Sequence, residues 1–172
     1  MADITINESG MTFGPIPEQN LLPLETCKVY RRIQHGLPIA EFSYLKTGSK
    51  ERFITIEAKS SSPKSDNEPN FSKYIKEISS KLTNGFQLAH SLLLGRFGSA
   101  ETPTSNALKS MNLADIEHRL VLVIHGHEKS WLPPVQDALK QELKSIEKIW
   151  SLGPNSILVI NDVVARDKGL IQ

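Results

Sequence analysis

Hydrophobic residues recur with two different periods along this chain. In PIAEFSYL (38–45) and RFITIEAK (52–59), apolar and polar side chains alternate, which is typical of β-strands that bury one face. A polar link that includes KTGSK (46–50) joins the two runs and places a glycine at a turn position. The pattern therefore predicts an antiparallel hairpin.

From Phe71 onward the period changes from two residues to that of a helix. The apolar stripe predicts a long amphipathic helix over 71–94, in which Gly85 is expected to be a weak point. The stripe consists of Phe71, Tyr74, Ile75, Ile78, Leu82, Phe86, Ala89 and Leu93.

The remaining segments alternate between strand and helix. We expect a strand or two plus loop over 1–24, a short helix over 24–34, a strand over 119–125 and a last strand over 156–160. A second amphipathic helix is predicted over 130–150, with the Ser130 hydroxyl as its cap. Segments 60–70 and 98–115 are polar and turn-rich, and the second is predicted to be an exposed insertion. The order predicts an α/β fold, a single domain over 1–172 with a mixed sheet flanked by helices.

The composition of the chain indicates what class of protein it is. The chain has 172 residues, a 39% apolar and 23% charged composition and a net charge of +1, as in an ordinary globular domain. Its single cysteine, Cys27, cannot form an intrachain disulfide. No signal peptide is visible, and no apolar run approaches the roughly 20 residues that cross a bilayer. We therefore expect a cytoplasmic protein that does not enter membranes.

The strand over 52–59 carries the candidate chemistry. Phe53, Thr55, Glu57 and Lys59 share one face, because successive strand side chains point in opposite directions. Glu41, on the preceding strand, supplies a second carboxylate. Two carboxylates and the main-chain carbonyl of Ala58 offer oxygen ligands of the kind that Mg²⁺ or Mn²⁺ prefers. The alternative is a hairpin end whose Glu57 and Lys59 are solvent-exposed or paired with each other on the surface.

The succession of an acid-bearing strand, a strand ending in Glu57-Ala58-Lys59 and a long helix resembles the PD-(D/E)XK nuclease superfamily. The resemblance implies a restriction-endonuclease-like core, with Glu41 and Glu57 as metal-binding acids and Lys59 as the motif lysine. It also implies that Glu25 matches the helix-borne acid of some members. This chain has Glu41 where the family usually has Asp, and it lacks the Pro-Asp pair of the motif.

The resemblance makes nucleic acid the expected substrate. Ser60 and Lys64 follow the motif directly, and Lys73 lies on the polar face of the long helix, so all three are candidates for phosphate contacts. A flexible loop and a solvated helix face are the alternatives for these residues. The expected function is a metal-dependent nuclease. The alternative is a catalytically inactive nuclease-fold module that acts in a larger assembly, as a homodimer or with a protein partner.

Overall fold

Seven strands and six helices make up the protein in the computed structural model, which describes residues 2–98, 101 and 104–172. In chain order the strands are β1 (Asp3–Glu8), β2 (Met11–Pro17), β3 (Leu21–Pro23), β4 (Phe42–Lys46), β5 (Arg52–Lys59), β6 (Glu117–Ile124) and β7 (Ile157–Asn161). The helices are α1 (Lys28–Ile33), α2 (Asn70–Leu93), α3 (Asn106–Lys109), α4 (Leu132–Glu142), α5 (Lys144–Ile149) and α6 (Asp162–Asp167).

The main sheet has the strand order β3-β4-β5-β6-β7 and mixes two kinds of pairing. β4 is antiparallel to both β3 and β5, while β5, β6 and β7 are parallel to one another. The chain crosses from β5 to β6 through α2, and from β6 to β7 through α4 and α5. The predicted hairpin and the α/β class, with a mixed sheet flanked by helices, are thereby confirmed.

The two faces of the sheet bury separate hydrophobic clusters. Phe53 of β5 and Leu122 of β6 pack in the cluster that includes the apolar stripe of α2. Ile54 and Ile56, on the opposite face, pack with residues of the separate β1–β2 hairpin and of α6. This division follows from the alternation along β5, where each successive side chain enters the other cluster.

The prediction of one continuous second amphipathic helix over 130–150 is wrong. A 3-10 turn over Lys129–Trp131 precedes α4, and the helical segment is interrupted at Leu143, after which α5 begins. Leu143 and Ile146 nevertheless remain buried, so the apolar period continues through the bend and conceals it. The predicted cap is also wrong, because Ser130 lies inside the 3-10 turn and no side chain caps α4.

The segment over 98–115 contains the short helix α3, and its described residues other than Leu108 are exposed or half-buried. The Ser105 hydroxyl accepts a hydrogen bond from the Leu108 backbone N–H and caps α3, and Leu108 is only 1% exposed. Residues 99, 100, 102 and 103 of this segment lie outside the described residues. Within the described part of the chain, no helix combines the length and the apolar character needed to cross a bilayer.

Candidate metal site at the end of β5

Glu57 occupies the helix-covered face at the carboxyl end of β5 and is 0% exposed. Its Oε1 accepts a hydrogen bond from Lys81 Nζ at 2.9 Å and lies 3.3 Å from Lys59 Nζ. Its Oε2 is buried without a hydrogen-bond partner among the described residues. Glu57 is therefore not solvent-exposed, contrary to the alternative interpretation. Its Oε2 is available to a further ligand.

Two ammonium groups lie beside the Glu57 carboxylate, one from Lys59 on β5 and one from Lys81 on α2. Lys59 is two residues further along β5 and also donates to Glu77 Oε1 of α2 at 3.0 Å. Lys81 reaches Glu57 from α2. Its position beside Leu82 at the border of the apolar stripe is the signal that could have identified it, since such a residue faces the edge of the sheet.

Glu41 lies one residue before β4 and on the same side of the sheet as Glu57. Its backbone N–H donates to Ile56 O at 3.0 Å, which extends the β4–β5 register. Ser43, two residues later and on the same face, hydrogen-bonds Thr55. Because side chains alternate along a strand, Glu41 and Glu57 share a face.

Two further carboxylates converge on Glu41. The Glu25 backbone N–H donates to Glu41 O at 3.3 Å, which holds the loop before α1 against the start of β4. Glu8 arrives from the end of β1. One carboxylate oxygen from each of Glu8, Glu25 and Glu41 lies within 4.8 Å of the others. Glu25 and Glu41 were predicted from the sequence, but Glu8 was not, because nothing in a turn sequence indicates where a hairpin docks.

Burial and repulsion between carboxylates shape the protonation of this cluster. Burial, the charge of Glu57 and a hydrogen bond with Glu25 raise the pKa of Glu41 to about 8. Burial and the charge of Glu25 raise the pKa of Glu8. For Glu57, burial raises the pKa against the opposing attraction of Lys81 and Lys59. The cluster thus holds more negative charge than its two lysines neutralise, so it retains a proton near neutral pH.

The donor set fits a hard divalent cation. Mg²⁺ and Mn²⁺ prefer carboxylate oxygens and keep several waters, and Glu8, Glu25 and Glu41 offer three such oxygens within 4.8 Å of one another. Glu57 does not belong to this group of three, although its charge acts on Glu41. The Ala58 carbonyl, which was also predicted as a ligand, accepts a hydrogen bond from the Ser9 hydroxyl at 3.0 Å. Ser9 follows Glu8, so the turn that contacts β5 through Ser9 also places Glu8 at Glu41.

The predicted phosphate-binding residues Ser60, Lys64 and Lys73 are exposed. Ser60 follows β5 directly, and Lys73 lies near the start of α2. Lys64 Nζ lies 5.0 Å from the centroid of the Trp131 ring, and both residues line a cavity of about 290 Å³ between the loops that follow β5 and β6. The sequence did not indicate the contact between Lys64 and Trp131.

Comparisons of this chain with models of protein families, with curated proteins and with solved structures return no match.

Proposed function

We propose that this protein is a Mg²⁺- or Mn²⁺-dependent nuclease built on a restriction-endonuclease-like core and acting in the cytoplasm. The observation that carries the proposal is the convergence of Glu8, Glu25 and Glu41 beside the buried Glu57 and Lys59 at the carboxyl end of β5. Such a constellation supports hydrolysis of phosphodiester bonds, because it combines ligands for a cation with ammonium groups that can face a phosphate.

Each residue of the cluster has a distinct role in this proposal. Glu41 and Glu25 would hold the cation together with Glu8, and Glu57 would add its negative charge next to this group, where it already acts on Glu41. A bound cation would polarise a phosphoryl oxygen and lower the pKa of a bound water. Lys59, whose side chain is 25% exposed, is accessible to substrate and would stabilise the charge that develops on the phosphate. Lys81 positions Glu57 through their hydrogen bond.

The substrate surface extends from the cluster along the loop after β5. Ser60 and Lys64 belong to this loop, and Lys73 lies on α2, which begins shortly after it. Contacts of hydroxyl and ammonium groups with phosphate oxygens would fix the register of a nucleic acid strand without reading its sequence.

The test is a cleavage assay with Mg²⁺ or Mn²⁺ on single- and double-stranded DNA and RNA. We expect Lys59→Ala and Glu41→Gln each to reduce the rate by about 10²-fold or more, as for the loss of a group that stabilises a transition state. Lys76→Ala, an exposed lysine of α2, is the matched control and should cleave like wild type. Cleavage that survives EDTA or Lys59→Ala would overturn the proposal.

A different observation favours an inactive interaction module as the second candidate. Ile149 is 80% exposed and the adjacent Trp150 is 43% exposed, and neighbouring exposed apolar residues of this kind are common where proteins associate. On this reading the chain is a homodimer or the subunit of a larger assembly, and the acid cluster serves the fold. Light scattering of wild type and of Ile149→Glu distinguishes the two candidates. Association abolished by Ile149→Glu, without cleavage by either protein, would favour the module.

A further inference from the structure

A second cavity lies on the other face of the sheet, at the opposite end of β5 from the acid cluster. Its volume is about 310 Å³, at the small end of the range for small-molecule sites. The floor is aliphatic and consists of Ile54, Val121, Leu158, Ile160 and Leu170. These residues belong to the cluster that packs with the β1–β2 hairpin and α6. The floor is thus continuous with the hydrophobic core.

Four cationic side chains line the same cavity. They are Lys46 at the end of β4, Arg52 at the start of β5, Arg119 near the start of β6 and Lys168 after α6. Their convergence follows from the topology, because the parallel strands β5 and β6 begin at the sheet edge where the antiparallel β4 ends. An aliphatic floor beneath a cationic rim is complementary to an amphipathic anion.

Glu117 neutralises part of this positive charge. Its Oε1 contacts Arg119 Nη2 at 2.5 Å and Arg52 Nε at 3.4 Å, and its Oε2 contacts Lys50 at 2.9 Å. Despite the opposing effect of burial, hydrogen bonds from Lys50 and Arg119 lower the pKa of Glu117 to about 2. A single carboxylate thus already serves three cations, which leaves the cavity electropositive.

Burial and the positive charge that remains in the cavity both lower the pKa of Lys46. Its Nζ donates to the backbone carbonyls of Lys168 and Gly169 at 2.6 and 3.2 Å, which are neutral acceptors. Burial lowers the pKa of Lys46, and the charges of Arg52, Lys168 and Arg119 lower it further. A bound anion would relieve this repulsion.

We infer that this cavity binds a small organic phosphate, with its apolar body on the aliphatic floor and its phosphate among Arg52, Arg119, Lys46 and Lys168. Phosphate suits the rim because each guanidinium group can donate two parallel hydrogen bonds to its oxygens. The two ammonium groups add positive point charges. The site is independent of the proposed nuclease function, since it lies on the other face of the sheet.

The test is isothermal titration with phenyl phosphate, inorganic phosphate and ribose 5-phosphate. EDTA is present throughout, so that a divalent cation at the acid cluster cannot contribute. We expect phenyl phosphate to bind about tenfold more tightly than the other two, because only its ring removes apolar area from water on the floor. Equal binding of the three probes, or no binding of phenyl phosphate at millimolar concentration, would overturn the inference.

Two variants locate the binding site. Lys168→Gln removes an exposed cation of the rim and should weaken phenyl phosphate binding about tenfold, as expected for the loss of a charge-assisted contact. Leu158→Glu places a negative charge on the half-buried floor and should abolish binding. Lys140→Gln, an exposed lysine of α4 on the other side of the sheet, is the control. Thermal melting checks that Leu158→Glu folds, and if it does not, Lys168→Gln decides. Binding unchanged by Lys168→Gln would place the anion elsewhere and contradict the inference.

Discussion

Glu57 combines complete burial with only partial compensation of its charge. Removing a carboxylate from water costs several kcal/mol unless oppositely charged groups and hydrogen bonds replace the solvent. Lys81 and Lys59 both approach Oε1, while Oε2 lacks a hydrogen-bond partner within the described residues. The free energy of folding therefore depends on the two lysines, and the unpaired oxygen favours binding of a cation.

Loss of Lys81 should destabilise the fold through Glu57. We expect Lys81→Met to lower the free energy of unfolding by about 2–3 kcal/mol, less than the loss of the sole partner of a buried charge, because Lys59 remains. Urea denaturation at pH 7 in EDTA measures the change. The double variant Glu57→Gln/Lys81→Met should recover part of the loss, since no buried charge is then left. Lys76→Met is the control, and a Lys81→Met protein as stable as this control would contradict the account.

Glu41 should make the stability of the cation-free protein fall as the pH rises. Its pKa in the folded protein is about 8 against an ordinary 4.5, so the folded state holds a proton that the unfolded chain releases. Its contribution to stability is complete below pH 4.5 and is lost as the pH rises towards 8. In EDTA, Glu41→Gln should therefore melt at a higher temperature than wild type at pH 8.5 and at a similar temperature at pH 5.

Addition of Mn²⁺ should reverse this order. The cation binds the ionised form of Glu41, so wild type should gain melting temperature at pH 8.5, while Glu41→Gln should gain little. An equal gain in the two proteins would show that Glu41 is not a ligand.

At the level of the elements, α2 lies unusually close to the sheet at Gly85. A Cβ built on Gly85 would lie 2.7 Å from Ala40 Cβ and 3.3 Å from Thr55 Cγ2. Ala40 N donates to Lys81 O at 3.1 Å, one helical turn before the glycine. The close approach thus brings Lys81 within reach of Glu57. Gly85 was expected from propensity alone to weaken the helix, but its missing side chain is what lets the helix dock.

Gly85→Ala should destabilise the protein although alanine favours helices. The gain in helix propensity is about 1 kcal/mol, whereas overpacking against the Ala40 and Thr55 side chains costs about 1–3 kcal/mol. We expect a net loss of about 1 kcal/mol in chemical denaturation, together with weaker Mn²⁺ binding as Lys81 and Glu57 shift. Ser80→Ala, on the exposed face of α2, should not destabilise. A more stable Gly85→Ala protein would contradict the close docking.

At the scale of the whole molecule, two buried histidines oppose the effect of Glu41 on stability. His90 and His118 are 3% and 9% exposed, and their ring centroids lie 4.7 Å apart. Burial and the charge of His118 lower the pKa of His90 to about 4, against the opposing effect of a hydrogen bond to Phe86 O. Burial also lowers the pKa of His118. Both rings therefore stabilise the fold in their neutral form.

The histidines should set the acid limb of the stability profile. Because the pKa of His90 is lowered in the folded state, its contribution is complete above about pH 6.5 and is lost as the pH falls towards 4, by about 3 kcal/mol in total. Between pH 4.5 and 6.5 the gain from His90 offsets the loss from Glu41, so the two groups together predict a broad stability maximum over that range in EDTA. Chemical denaturation from pH 4 to 9 measures the profile, and His90→Phe should flatten its acid limb. An unchanged limb in that variant would contradict the assignment to His90.

The backbone elements could be predicted because their signals are local. The alternation of PIAEFSYL and RFITIEAK depends only on the geometry of a strand, and β4 and β5 form the predicted hairpin. The stripe from Phe71 predicted α2 to within a residue at each end. The bend at Leu143 could not be predicted, because α4 and α5 bury the same side and the hydrophobic period runs through it.

The sequence by itself determined the α/β class and the face of β5 that carries Glu57 and Lys59, since strand alternation follows from the backbone alone. Only the tertiary structure decided which groups meet that face. Glu8 reaches Glu41 because the β1–β2 hairpin docks at the end of β5, and Lys81 reaches Glu57 because α2 packs closely at Gly85. The cationic cavity likewise arises where strand ends and the segment after α6 come together. Contacts between distant segments depend on packing and burial, which no local period encodes.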